Sequence, residues 1–149
     1  MFRYDPPTLY LLDTNTVSHI LRPQKYGAAA RDRLEAVGQN EYTAISVITE
    51  AELLYGLAKK PEATALKKTI NAFLATINVL PWSRAEAEVY SVLRADLDSH
   101  GRSIGNLDML ITAHAVSARA ILVTNDGPML GIRELYGDSL RMQDWTVSS

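Results

Sequence analysis

Short apolar runs, each stopped by a polar or acidic group, alternate along this chain with longer stretches of helical periodicity, and that alternation limits the possible folds more than any other feature. Leu9-Tyr10-Leu11-Leu12 stops at Asp13-Thr14-Asn15, and residues 121–124 stop at Asn125-Asp126-Gly127. Residues 42–46 and Asn78-Val79-Leu80 make two further strands, and 140–142 a small last one before Trp145. Helices are expected from Asp13 to about Leu21, with a break at Arg22-Pro23, and over 28–37, closed by Gly38. Another runs over 50–59, with Thr49 as its N-cap and Glu52 at the capping-box position. A helix opened by Pro61 places Leu66, Ile70, Phe73, Leu74 and Ile77 on one face. Ser83 caps a helix to about Ser99 that Gly101 stops, and residues 104–118 form one more. Strands separated by helices imply βαβ units, so the expected class is α/β, three layers, with a mainly parallel sheet covered by helices on both faces.

At 149 residues the chain is expected to be one domain over 1–149, long enough to bury its own core. With no cysteine it holds no disulfide, thiol nucleophile or thiolate zinc site. No stretch approaches the roughly 20 apolar residues that span a bilayer, so a protein without a membrane partner, in the cytoplasm, is expected. The net charge of −2 lacks the basic footprint of a passive nucleic-acid binder. Gathering four of the 17 acids in one metal site would leave 13 against 15 basic residues, so an RNA substrate is compatible with the total.

Four acids stand out by position. Asp13 follows the first strand and Asp126 the most apolar one, and ligands of open α/β sheets gather beyond the carboxyl ends of the strands. Glu52, expected in the first turn after the second strand, and Asp108, near the start of the helix that returns to the 121–124 strand, begin at the same edge. Convergence there would make an all-oxygen cluster suited to Mg²⁺ or Mn²⁺. Each has a plainer reading. Asp13 and Asp126 could cap the helices that follow them, and Glu52 could close a capping box with Thr49. Asp108, flanked by Leu107, Leu110 and Ile111, is harder to assign to structure alone, because a buried acid without a partner is costly. His19 and His114 fall in apolar helical stretches and read as packed residues, and His100 reads as a solvated helix end, so paired-imidazole ribonuclease chemistry is not supported.

In this order the motifs resemble those of PIN-domain ribonucleases. Leu11-Leu12-Asp13-Thr14-Asn15 is similar to the family's opening motif, and Ser46-Val47-Ile48-Thr49-Glu50-Ala51-Glu52-Leu53-Leu54-Tyr55-Gly56 resembles the second motif of its VapC toxin branch. Gly101-Arg102-Ser103-Ile104-Gly105-Asn106-Leu107-Asp108 resembles the third, Leu122-Val123-Thr124-Asn125-Asp126 the fourth, and Asp144-Trp145 the closing dipeptide. Where an aromatic often follows the fourth acid, this chain has Met129-Leu130.

The resemblance implies a Mg²⁺- or Mn²⁺-dependent endoribonuclease that hydrolyses RNA phosphodiesters, with Asp13, Glu52, Asp108 and Asp126 as catalytic and metal residues. Thr14, Asn15, Thr124 and Asn125 would hold those carboxylates in place. It further implies a toxin, a cognate antitoxin that neutralises it, a homodimer, and a structured RNA substrate such as transfer or ribosomal RNA. The wide apolar spread of Ala51, Leu53, Leu54, Tyr55, Leu57 and Ala58 suits such a partner, although a neighbouring helix could equally bury it. Three alternatives are a PIN nuclease working in RNA processing outside any toxin pair, a non-catalytic PIN-like binding module, and a haloacid-dehalogenase-like phosphatase. The module would have lost acids, and all four are present. The phosphatase wants a second Asp where Asn15 stands.

Overall fold

The computed structural model describes residues 4–22 and 27–147. Strands β1 (Thr8–Leu12), β2 (Glu41–Ser46), β3 (Asn78–Leu80), β4 (Ile121–Val123) and β5 (Met142–Gln143) form one sheet in the order β3-β2-β1-β4-β5, every pair parallel. The helices between them are α1 (Thr14–Leu21), α2 (Gly27–Glu35), α3 (Val47–Ala58), α4 (Thr64–Thr76), α5 (Arg84–Ser99), α6 (Asn106–Ser117) and α7 (Gly127–Tyr136).

The strands alternate strictly between two cores. Tyr10, Leu12, Ile45, Ile121 and Val123 face α1 to α4, where they meet Val17, Ile20, Ala30, Leu53 and Ile70. Leu11, Ala44 and Leu122 face α5 to α7 and meet Leu97, Met109, Ile111, Met129 and Ile132. A central parallel strand is buried on both faces, and this is why β1 and β4 read as unbroken apolar runs.

The three-layer α/β fold expected from the alternation is present. Its topology also locates a site. The chain adds β2 and β3 on one side of β1, then crosses to add β4 and β5 on the other. Strand order therefore reverses between β1 and β4, and a crevice opens beyond their carboxyl ends.

The structure corrects the start of α3. The helix begins at Val47, not after Thr49, and its N-cap is Ser46, whose hydroxyl accepts the Ile48 N–H at 3.0 Å. Thr49 lies buried inside the first turn, so it forms no capping box with Glu52, which stands in the second turn rather than the first. Ser46 ends a strand and caps a helix with no intervening loop, which left no turn residues to mark the boundary. Helix α7, which the periodicity did not delineate because Gly127, Pro128 and Gly131 dilute its pattern, is capped by Asp126 and tolerates Pro128 in its first turn. The last strand lies at Met142–Gln143, a little later than expected. In the expected break at Arg22-Pro23, Pro23 lies outside the described residues.

Candidate active site

Asp13 is fixed by the sheet itself. Its backbone N–H donates to the Val123 carbonyl at 3.0 Å, the last rung of the β1–β4 ladder, and its carboxylate accepts the Thr16 N–H at 2.8 Å as the N-cap of α1. The side chain is 1% exposed. Asp126 repeats the arrangement one strand over, accepting the Met129 N–H at 3.1 Å as the N-cap of α7. Both acids cap helices, as their plainer reading holds, and both also act on the Asp108 carboxyl. Capping engages one carboxylate oxygen and leaves the other for a further partner.

Thr124 adjoins both. Its hydroxyl accepts the Asp126 N–H at 3.1 Å and points at Met129 Sδ 3.7 Å away, and its nearness to Asp13 favours the ionised carboxylate there. Glu52 reaches the same edge from α3, where its Oε1 accepts the Thr14 hydroxyl at 2.7 Å, and Thr14 also contacts the Thr49 hydroxyl at 3.1 Å. Of the four polar residues expected beside the acids, Thr14 bonds directly to a carboxylate. Asn15 is exposed, and the Asn125 amide lies 3.2 Å from His19 Nε2 instead.

Asp108, at the third position of α6, shows the electrostatics most clearly. Its carboxyl is pushed up to about 6, first by burial and then by the negative charges of Asp126, Asp13 and Glu52. Asp13 is raised as well, chiefly by burial and further by Asp126, against the lowering effect of Thr124 and Thr16. Asp13, Glu52 and Asp126 all act on the Asp108 carboxyl, so the four acids lie near one another at one edge of the sheet.

Among the described residues, no three acid or histidine side chains draw close enough to form a ready metal cage. The donor chemistry nevertheless fits Mg²⁺ or Mn²⁺: all donors are oxygen, the charges acting on Asp108 are all negative, and Mg²⁺ retains several waters and needs only one or two carboxylates directly.

A groove of about 420 Å³ leads away from Thr14 and Glu52, with Arg22, Lys59 and Lys60 in its walls. The apolar spread of α3 is only partly covered. Leu53 is buried, but Leu54 and Tyr55 remain exposed, the latter at 63%, with the Lys59 ammonium 4.6 Å over the Tyr55 ring. Sequence reasoning missed two contributors, Ser46 as the cap of α3 and the polar partners of His114. His114 is buried as expected, yet its Nδ1 lies 2.7 Å from Ser46 Oγ.

Comparison with known proteins agrees with this geometry. The PIN domain family model matches residues 10–133. A Rickettsia felis protein named ribonuclease VapC2 is 34% identical over 118 residues, 79% of this chain and 87% of that protein. A Shigella flexneri protein named tRNA(fMet)-specific endonuclease VapC is 32% identical over 137 residues, 92% of this chain and 98% of that one. Among solved structures, VapBC2 from Rickettsia felis, bound to a DNA fragment from its promoter, superposes with a TM-score of 0.81 at 30% identity, covering 93% of this chain and 99% of the other. With the motifs in order, the acids at one sheet edge and the family model spanning most of its length, the chain belongs to the PIN-domain family, among the VapC ribonucleases.

Proposed function

We propose that this toxin endoribonuclease hydrolyses RNA phosphodiesters with a divalent ion, Mg²⁺ or Mn²⁺, held by Asp13 and Asp108 with Glu52 and Asp126, and that it works as one PIN domain over residues 1–149. The observation that carries the reading is the placement of Asp13, Glu52 and Asp126 around Asp108 at a strand-order reversal, where burial and those like charges push the Asp108 carboxyl up to about 6. When bound, the ion supplies a more acidic water and neutralises charge on the phosphate.

The remaining work falls to the chain. Thr14 fixes Glu52 Oε1, which leaves the other carboxylate oxygen free to orient an attacking water. Thr124 accepts the Asp126 N–H and so fixes the turn that carries that acid. Arg22, Lys59 and Lys60 along the groove provide positive charge for the phosphates on either side of the cut. By analogy with the Shigella flexneri relative named for tRNA(fMet), the substrate is a structured RNA, transfer RNA ahead of ribosomal RNA.

The exposed face of α3, with Leu54 and Tyr55, and the VapBC structure this chain resembles support a cognate antitoxin that covers this groove; the homodimer and the cytoplasmic location rest on the family resemblance. No helix among the described residues is long and apolar enough to cross a membrane.

The test is cleavage of a structured RNA by the purified protein with magnesium and with EDTA. Attack by water predicts products with 3′-hydroxyl and 5′-phosphate ends and no cleavage under chelation. Undiminished cleavage in EDTA, or cyclic phosphate ends, contradicts the mechanism.

A further inference from the structure

Beneath the carboxylates lies a buried polar chain that the hydrolytic reading does not use. His114 sits in α6 on the same helix as Asp108, six residues further on, and reaches across to the start of α3, the helix that carries Glu52. Its Nδ1 is 2.7 Å from Ser46 Oγ, and both side chains are almost wholly buried. Its Nε2 lies 3.9 Å from Glu86 Oε1, and the ring also interacts with the Pro81 carbonyl, both of them acceptors.

Those partners assign the protons. A carbonyl and a carboxylate cannot donate, so Nε2 carries the ring proton and Nδ1 is left to accept from the Ser46 hydroxyl. Ser46 in turn accepts the Ile48 N–H at 3.0 Å, which starts α3. Burial favours the neutral imidazole that this pattern requires.

The surroundings are built to keep the ring there. Glu86 is held by the Ser83 N–H at 3.1 Å and by the Ser117 hydroxyl at 3.2 Å, and Trp82 packs edge-on against the imidazole with centroids 5.5 Å apart. From the opposite side Thr14 fastens Thr49 and Glu52. The first two turns of α3 are thus pinned at one end by α1 and at the other by α6.

On this geometry, and resting on the metal reading above, we infer that His114 is a positioning residue: by accepting from Ser46 it sets the start of α3 against α6, and so fixes where Glu52 stands relative to Asp108. A residue that only filled the core would need the ring's volume and not its acceptor.

The experiment is Mn²⁺ titration by calorimetry, beside steady-state RNA cleavage, for wild type, His114→Leu and His114→Asn. Leu keeps bulk without an acceptor, while the Asn side-chain oxygen can take the place of Nδ1. Expected is Mn²⁺ binding weakened about tenfold in His114→Leu, the scale of an outer-sphere loss, with kcat reduced more than KM is raised and both recovered largely in His114→Asn. Ser46→Ala, which removes the hydroxyl and leaves the imidazole, should weaken Mn²⁺ by a similar factor and serves if His114→Leu does not fold. Wild-type Mn²⁺ affinity in the folded Leu or Ala variant, or an Asn variant no better than Leu, overturns the role of His114 while leaving the metal reading intact. A wild-type protein that binds no Mn²⁺ overturns both.

Discussion

Glu41 and Asp108 lie at opposite ends of the same parallel sheet and in opposite electrostatic settings. Glu41 opens β2, accepts the Tyr10 hydroxyl and the Gly38 N–H, and pairs with Arg33 at 3.6 Å. Those contacts hold its carboxyl below the usual range, the Tyr10 bond most of all. Arg33 is itself cradled, 5.1 Å over the Tyr10 ring and 4.9 Å over that of Trp145. Asp108 has burial and three like charges instead, and its carboxyl rises to about 6. Where a charge only has to be accommodated, the fold provides partners within the chain. Around Asp108 it places burial and like charges instead, the kind of perturbed setting found at functional sites.

The contrast breaks most visibly at Asp108. Asp108→Asn should lower RNA cleavage by about a hundredfold or more, the scale on which one group that stabilises a transition state matters. A rate near wild type would remove Asp108 from the site. Asp13 then separates its two roles. Both Asp13→Asn and Asp13→Ala should lose activity, but Asn retains an oxygen for the Thr16 N–H and Ala does not. The Ala variant should therefore unfold about 1 kcal/mol more easily than the Asn variant. Equal stability in chemical denaturation would show that the cap contributes nothing. At the other end, Glu41→Gln should leave the cleavage rate unchanged and reduce stability slightly, since it removes the charge facing Arg33 and keeps an acceptor for Tyr10. Loss of activity there would mean that the two ends of the sheet are not independent.

Much of this was legible in the sequence because the informative positions are local. A strand that ends just before Asp13, or three residues before Asp126, fixes at which edge of the sheet that acid lies, whatever the rest of the chain does. The alternation of Leu11 between Tyr10 and Leu12 likewise follows from a period of two. The start of α3 was less legible: Thr49 fits a cap by residue type, but its hydroxyl serves Thr14, 35 residues away in sequence. Nor could the turn of Asn125 toward His19 be read, since it is a contact between residues distant in the chain. The Ser46–His114 link, across 68 residues, leaves no trace in local periodicity at all.

The central claim is that Asp108 belongs to a cluster of like charges awaiting a cation, and thermal melts of wild type and Asp108→Asn test it most directly. A carboxyl whose pKa is raised on folding favours the native state while protonated. That contribution is complete below its ordinary value of 3.8 and is lost as pH rises through about 6. Burial of Asp13 acts in the same direction. In EDTA, wild type should therefore lose melting temperature relative to the mutant between about pH 4 and about pH 7, and end no more stable than it. Adding magnesium at pH 7 should raise wild type more than the mutant, because binding to the native state stabilises by mass action. A mutant clearly less stable than wild type in EDTA at pH 7, with magnesium moving neither protein, would contradict the account.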